Sequence, residues 1–292
     1  MTRFHGIYSA IITPMNEDGS IDFVSLKLFV DFQLENHIDG LVVCGTTGES
    51  ATLIHEERNE VIKKVITQVN RRVPVIVGTG TNNTQSSITY SKEATQFGAD
   101  GLLIVTPYYN KPTHIGMIKH VEAIAQSSKL PIILYNVPGR TVKDVTPVQV
   151  ADLAKIENVI GIKEATGDMN RVTQIQALTK NDFLLFTGDD FTTLPFLALG
   201  GHGAISVASN IIPSQMHEMY QLVTKGELAE ARKIHQKYFP LFEALFSESN
   251  PIPVKAALYH RGLIKSDTLR LPLYKMSEPM RNKMFEIIER VM

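Results

Sequence analysis

Short apolar runs and longer stretches with apolar residues at every third or fourth position alternate along almost the whole chain. Runs of four to eight residues bounded by Gly, Pro or Asp indicate strands, and i, i+3, i+4 spacing indicates helices. On that basis strands are expected at 6–13, 40–44, 74–77, 100–105, 131–135, 159–163, 183–187 and 203–207. The first helix is expected behind Asp22, a capping residue, with Phe23, Leu26, Phe29, Val30 and Leu34 on its apolar side. Further helices are expected at 55–69, 84–97, 114–126, 147–154, 169–178, 192–199 and 214–223. Beyond Lys225-Gly226 the strand signal stops. Helices are expected there at 227–246, kinked by Pro240, and at 251–259 and 279–291.

Eight strand–helix units of roughly thirty residues imply a parallel sheet covered by helices. Eight units at about 250 residues point to an α/β fold of the closed (β/α)8 TIM-barrel type. The expected organisation is a catalytic barrel over residues 1–224 and a helical C-terminal domain over 225–292. A doubly wound open sheet is the alternative. It would carry a glycine-rich phosphate loop after its first strand, and Thr13-Pro14-Met15-Asn16 is not one.

Composition narrows the function classes. The chain has 292 residues, with 29 basic and 30 acidic side chains and a single cysteine, Cys44. The balanced, scattered charge gives no electrostatic case for nucleic acid. One cysteine excludes an internal disulfide framework and fits a reducing compartment. No apolar run approaches the roughly 18–20 residues of a membrane span. The apolar run from Ile7 to Ile12, with one arginine ahead of it, ends at Thr13-Pro14 beside acidic residues and is taken as a first strand rather than a signal peptide. A cytoplasmic location is the default.

Candidate chemistry sits at the strand ends, where a barrel places its active site. The sixth strand, Val159-Ile160-Gly161-Ile162-Lys163, ends apolar residues with an ammonium. Strict alternation puts Lys163 on the face of Gly161 and Val159, and Glu164 on the other with Ile162. Glu164 is therefore not its natural ion-pair partner, and Gly161 leaves space beside it. A lysine in apolar surroundings loses preference for its charged form and can attack a carbonyl. The competing reading is a lysine snorkelling outward from a strand end. Tyr135 ends the neighbouring fifth strand and can converge with Lys163 to move a proton. Arg140, just beyond, suits a carboxylate. The loop Gly45-Thr46-Thr47-Gly48-Glu49-Ser50 offers hydroxyls and free amides to a small anion. Tyr108-Tyr109 is an unusual pair for a loop. The nine histidines are scattered, His55-Glu56-Glu57-Arg58-Asn59 lacks the second histidine of a zinc helix, and Ser50 has no triad pattern, so no metal is expected. What remains is metal-free amine chemistry on an α-keto acid through a Schiff base.

These residues resemble those of the dihydrodipicolinate synthases, in the pyruvate-dependent class I aldolase-like superfamily. The resemblance runs nearly end to end. It rests on Ile11-Ile12-Thr13-Pro14, the Gly45–Ser50 loop, Val77-Gly78-Thr79-Gly80, Thr106-Pro107-Tyr108-Tyr109-Asn110, Tyr135-Asn136-Val137-Pro138, Gly161-Ile162-Lys163-Glu164-Ala165-Thr166 and Asn250-Pro251-Ile252-Pro253-Val254-Lys255. It implies condensation of pyruvate with L-aspartate 4-semialdehyde, the first committed step of lysine biosynthesis by the diaminopimelate route, with no cofactor beyond the imine itself. It assigns the imine to Lys163 and proton transfer to Tyr135, linked through Thr46 to Tyr109 of a neighbouring subunit. Thr46 and Thr47 would hold the pyruvate carboxylate and Arg140 that of the semialdehyde, while Gly188 and Ile205 line the pocket through backbone groups. It also implies a homo-oligomer, commonly a tetramer built as a dimer of dimers. Ser50, Ala51, His55, Asn82 and Tyr108 match a site at which L-lysine inhibits some members. Arg58 and Ser86 depart from that pattern by replacing a histidine and a glutamate, so weak or absent inhibition is expected. Two other readings stand beside the main one. Another pyruvate-dependent aldolase, acting on N-acetylneuraminate or a 2-keto-3-deoxy sugar acid, shares the glycine–threonine loop and lysine strand. A catalytically idle keto-acid sensor would have no need of Lys163, Tyr135, Thr46 and Tyr109 together.

Overall fold

A computed structural model of the chain describes residues 4–292, so the N-terminal arginine, Arg3, lies outside the described residues. Eight parallel strands close on themselves in sequence order: β1 (Gly6–Ala10), β2 (Gly40–Val43), β3 (Val75–Gly78), β4 (Gly101–Val105), β5 (Ile132–Asn136), β6 (Val159–Glu164), β7 (Leu184–Thr187) and β8 (Gly203–Ser206). Closure comes from β1 pairing with β8, with Tyr8 opposite Ile205. Outside the strands lie α1 (Phe23–Glu35), α2 (His55–Val69), α3 (Thr84–Phe97), α4 (His114–Ser127), α5 (Pro138–Thr141), α6 (Pro147–Leu153), α7 (Asn170–Leu178), α8 (Thr193–Ala198) and α9 (Pro213–Thr224). Three further helices follow: α10 (Leu228–Leu245), α11 (Ile252–His260) and α12 (Glu278–Val291). The fold is the expected (β/α)8 barrel with C-terminal helices.

Side-chain alternation along the strands splits the apolar residues into two layers. Tyr8, Val42, Ile76, Leu103, Ile133, Leu184, Phe186 and Ile205 fill the barrel interior. Their neighbours, such as Leu41, Val43, Val75, Val77, Leu134 and Ile162, pack outward against the helices. The outer layer is continuous with Leu241, Phe242, Val254, Leu258, Met284 and Ile288 of the last three helices. These helices therefore share the barrel's core. Asp22 caps α1 by accepting from the backbone amides of Val24 and Ser25 at 3.0 and 2.9 Å. Helix α10 carries Pro240 and stays helical on both sides of it.

Differences from the sequence expectation have local causes. The first strand stops at Ala10 because the next amides turn elsewhere, Ile11 to the Val42 carbonyl and Ile12 to the side chain of Asn210. The stretch 192–199 is preceded by a 3₁₀ turn, Asp190–Thr192, and a second turn covers Ala208–Asn210. A register shift at the start of β6 pairs Ile132 with Val159 but Ile133 with Gly161. This bulge gives β6 one extra residue, so Val159 faces outward with Ile162 and not inward with Lys163.

Candidate active site

The β5–β6 register places Tyr135 directly beside Lys163. The lysine is only 6% exposed, and its Nζ lies 4.2 Å from the centre of the tyrosine ring. Burial penalises the ammonium and lowers the Lys163 pKa to about 7. Asp190 opposes that shift and the Arg140 guanidinium adds to it. Burial pushes the Tyr135 phenol up, against the pull of Arg140 and of a hydrogen bond with the Thr46 side chain. A neutral amine at neutral pH beside a protonated phenol forms a nucleophile with an acid. The snorkelling reading fails, because the side chain is enclosed and its nitrogen faces an aromatic ring.

Room for the lysine comes from Gly188, not from Gly161. A Cβ on Gly161 would meet the Leu184 carbonyl at 2.5 Å, so that glycine lets β6 and β7 pack. A Cβ on Gly188 would meet Lys163 Cε at 2.6 Å. Gly188 is anchored by its amide to the Glu164 carbonyl at 2.7 Å.

A cavity of about 610 Å³ opens over these groups, lined by Thr46, Thr47, Tyr135, Arg140, Lys163 and Gly188, with Ala10, Val42, Leu103 and Val207 as apolar wall. Ile205 lies one layer deeper, fully buried inside the barrel. Arg140 sits on the short helix α5 and donates from Nη2 to the Asn250 carbonyl at 3.1 Å. The Asn250 side-chain amide donates to Thr47 Oγ1 at 2.9 Å. A hydroxyl that accepts in this way keeps its own proton to donate, which suits a carboxylate in the cavity. Asn250 thus braces the side chains of Thr47 and Arg140 at once.

Two buried ionic groups support the walls. Behind β6, Glu164 pairs with Arg171 at 3.0 Å and accepts from Asn136 at 3.2 Å. Arg171 also reaches Asp144 at 3.2 Å, and Asn136 accepts from the Val145 amide. This cluster secures the β5–α6 connection that carries Arg140. Glu164 is on the face opposite Lys163, as alternation requires. Beneath the threonine loop, fully buried Glu49 pairs with Lys255 of α11. Its second carboxylate oxygen accepts from the Arg270 amide at 3.1 Å, and Lys255 donates to the Thr268 carbonyl at 2.8 Å. Burial without a partner would cost several kcal/mol per ion, so the full set of contacts is what permits the charges there.

Tyr109 is not brought to this cavity. It is 88% exposed and holds a left-handed backbone, φ +68°. Ser50, Ala51 and Tyr108 line a second cavity of about 400 Å³ that shares Thr46 and Arg140 with the first. His55 pairs with Glu93 at 2.9 Å, and the Asn82 carbonyl accepts from Asn110 at 2.8 Å; neither residue is in that lining, though the His55 ring lies 5.7 Å from that of Tyr90, which is. Arg58 does line it. Its guanidinium is buried, lies 4.5 Å over the Tyr90 ring and donates to the Gly78 carbonyl. The Ser86 amide caps into Asn83 at the start of α3.

Asn250, Lys255 and Asp190 bear on the site although sequence reasoning gave them no role. Their signal was present only as a motif or as residues after a glycine, without a spacing that names a partner. Among the described residues no three His, Cys, Asp or Glu side chains gather as a metal site. No helix among them is long and apolar enough to cross a membrane.

The geometry has close counterparts. The Dihydrodipicolinate synthetase family matches residues 3–291. The 4-hydroxy-tetrahydrodipicolinate synthase of a Sulfurihydrogenibium species is 48% identical over 288 residues, 98% of each chain. The solved dihydrodipicolinate synthase of Thermotoga maritima is 42% identical with a TM-score of 0.96, covering 99% of this chain and 98% of that one. The chloride-inhibited dihydrodipicolinate synthase of Acinetobacter baumannii, solved with pyruvate, is also 42% identical with a TM-score of 0.96, covering 98% of each. With this coverage and identity, the chain belongs to the dihydrodipicolinate synthetase family.

Proposed function

We propose that the chain condenses pyruvate with L-aspartate 4-semialdehyde to give 4-hydroxy-tetrahydrodipicolinate, through an imine on Lys163. The observation that carries the mechanism is the buried lysine, its pKa lowered to about 7 and its nitrogen 4.2 Å from the Tyr135 ring, at the mouth of the barrel. Neutral Lys163 attacks the keto carbon of pyruvate. Tyr135 supplies the proton with which the keto oxygen leaves as water, and the imine forms. Loss of a methyl proton gives the enamine, whose carbon attacks the aldehyde carbon while the aldehyde oxygen takes a proton. The substrate's amine, as free base, then attacks the imine carbon, lysine leaves, and the ring C=N closes.

Thr46 and Thr47 hold the pyruvate carboxylate, with Gly188 and Ile205 contributing backbone groups, and Arg140 holds the carboxylate of the semialdehyde. Arg140 in the cavity wall favours this pair of substrates over the sugar-acid aldolase alternative, because a neutral polyol gives a guanidinium no charge to meet. The chemistry needs no cofactor. The exposure of Tyr109 fits a homo-oligomer, a tetramer made of two tight dimers, in which that tyrosine completes a neighbour's proton relay. We further propose division into a barrel, 1–224, and a helical C-terminal domain, 225–292, and a cytoplasmic location.

Borohydride reduction with pyruvate, followed by peptide mass mapping, is expected to place one three-carbon adduct on Lys163. An adduct elsewhere, or none, would overturn the mechanism. An assay with the semialdehyde coupled to reduction of the product then reads the substrate pair.

A further inference from the structure

Asp189 lines the cavity one residue beyond Gly188, the glycine packed against Lys163. Its backbone is held from both sides. The amide donates to Thr187 Oγ1 at 3.1 Å, and the carbonyl accepts from the hydroxyls of Thr187, Thr192 and Thr193, each at 3.2 Å. One carboxylate oxygen, Oδ1, caps the following turn by accepting from the Phe191 amide at 3.3 Å. The other, Oδ2, forms no hydrogen bond or ion pair among the described residues. It lies 3.4 Å from where a Cβ on Gly167 would stand. A Cβ at position 167 would therefore stand in ordinary van der Waals contact with this oxygen.

The backbone is thus firmly placed, and it presents to the cavity a carboxylate with one oxygen unused. The remaining cationic wall group, Arg140, already has an anionic partner in the proposed reaction. L-Aspartate 4-semialdehyde carries an α-ammonium beside the carboxylate that Arg140 takes. Resting on that reading, we propose that Asp189 is the specificity-determining residue that receives the substrate's α-ammonium. Arg140 and Asp189 then read the two charges of one amino acid. The electrostatics of the empty cavity agree. Burial, and the neighbouring Asp190 carboxylate, raise the Asp189 pKa to about 6. A cation at Oδ2 relieves both causes and fixes the anionic form. The position also suits the later chemistry, because the ammonium can pass one proton to the Asp189 carboxylate, and the free amine then stands next to the lysine it must displace.

Asp189→Asn keeps an oxygen to accept from the Phe191 amide and removes only the charge. The test compares turnover of L-aspartate 4-semialdehyde with carbon–carbon bond formation to its desamino analogue, succinic semialdehyde, in wild type and variant. The expected result is that the variant's preference for the amino-bearing aldehyde, as a ratio of kcat/KM values, falls about tenfold or more, equivalent to ~1.4 kcal/mol. Borohydride trapping of pyruvate on Lys163 is expected to persist, which shows that the variant is folded. An unchanged preference ratio with trapping intact would overturn the role of Asp189. Loss of trapping together with an unchanged ratio would overturn it too, by showing that the residue serves the lysine and not the ammonium. Failure of the function reading looks different: wild type itself would not turn over pyruvate with the semialdehyde.

Discussion

At Lys163 the decisive quantity is desolvation. Enclosure by Tyr135, Gly188 and the apolar wall outweighs the attraction of Asp190, and the pKa falls from 10.5 to about 7. The sign for activity follows directly. Below pH 7 the group is an ammonium without a lone pair, so imine formation should climb about tenfold per pH unit. Above pH 7 it should level off, since the free base already dominates. Pre-steady-state adduct formation with pyruvate, measured from pH 5 to 9, checks this. A rise that continues about tenfold per unit up to pH 9, with no inflection near 7, would show that burial does not tune the amine. The adjacency of Lys163 and Tyr135 was legible in the sequence because each ends an apolar run on neighbouring strands. The bulge that turns Val159 outward was not, since an extra residue in a strand leaves the hydrophobic pattern intact. The glycine that makes room was also misassigned. Local spacing pointed to Gly161, two residues away on the same strand, whereas Gly188 reaches the lysine from the next strand.

Among the elements, α2 and α3 run over 55–69 and 84–97 as their periodicity predicts. Long amphipathic segments carry enough repeats to set both ends. The four-residue α5 and the three-residue turns at 190–192 and 208–210 carry none, and these are the pieces that aim Arg140 and Asp190. The position of Arg58 on α2 has its own consequence. Helical register turns its guanidinium inward over Tyr90, where it contributes a fixed positive charge to the cavity lined by Ser50, Ala51 and Tyr108. A second cation arriving there, such as the side chain of L-lysine, meets like charge. Activity should stay flat as L-lysine is raised through the millimolar range. Half-maximal inhibition below 1 mM, in an ordinary titration, would contradict this account.

For the whole molecule, barrel closure was legible because eight similar units repeat. The ties between distant segments were not. Asn250 with Thr47 and Lys255 with Glu49 join positions about 200 residues apart, and no local pattern names such partners. Tyr109 raises the same issue between molecules. Its ring is held outward in a left-handed turn, 88% exposed, and does not line the cavity of Thr46 and Tyr135 in its own chain. If a second copy receives it, Tyr109→Phe and Lys163→Ala homo-oligomers should each be nearly inactive, while re-associated mixtures recover about a quarter of the wild-type activity per site, as random pairing of dimers gives. Mixtures with no recovery, despite proven subunit exchange, would place the tyrosine's action within its own chain or nowhere.

The bond between Asn250 and Thr47 also bears on how the protein is made. Synthesis proceeds from the N-terminus, and every strand of the barrel has been added by Ser206. At that point the lysine, the tyrosine and both threonines are present, yet the asparagine that braces Thr47 and Arg140 is still more than forty residues from being translated. A nascent chain at this stage holds Lys163 in an unfinished pocket with Thr47 and Arg140 unbraced. The order of translation thus delays a braced pocket until the segment that carries Asn250 arrives, so that segment acts as a completion check on the site.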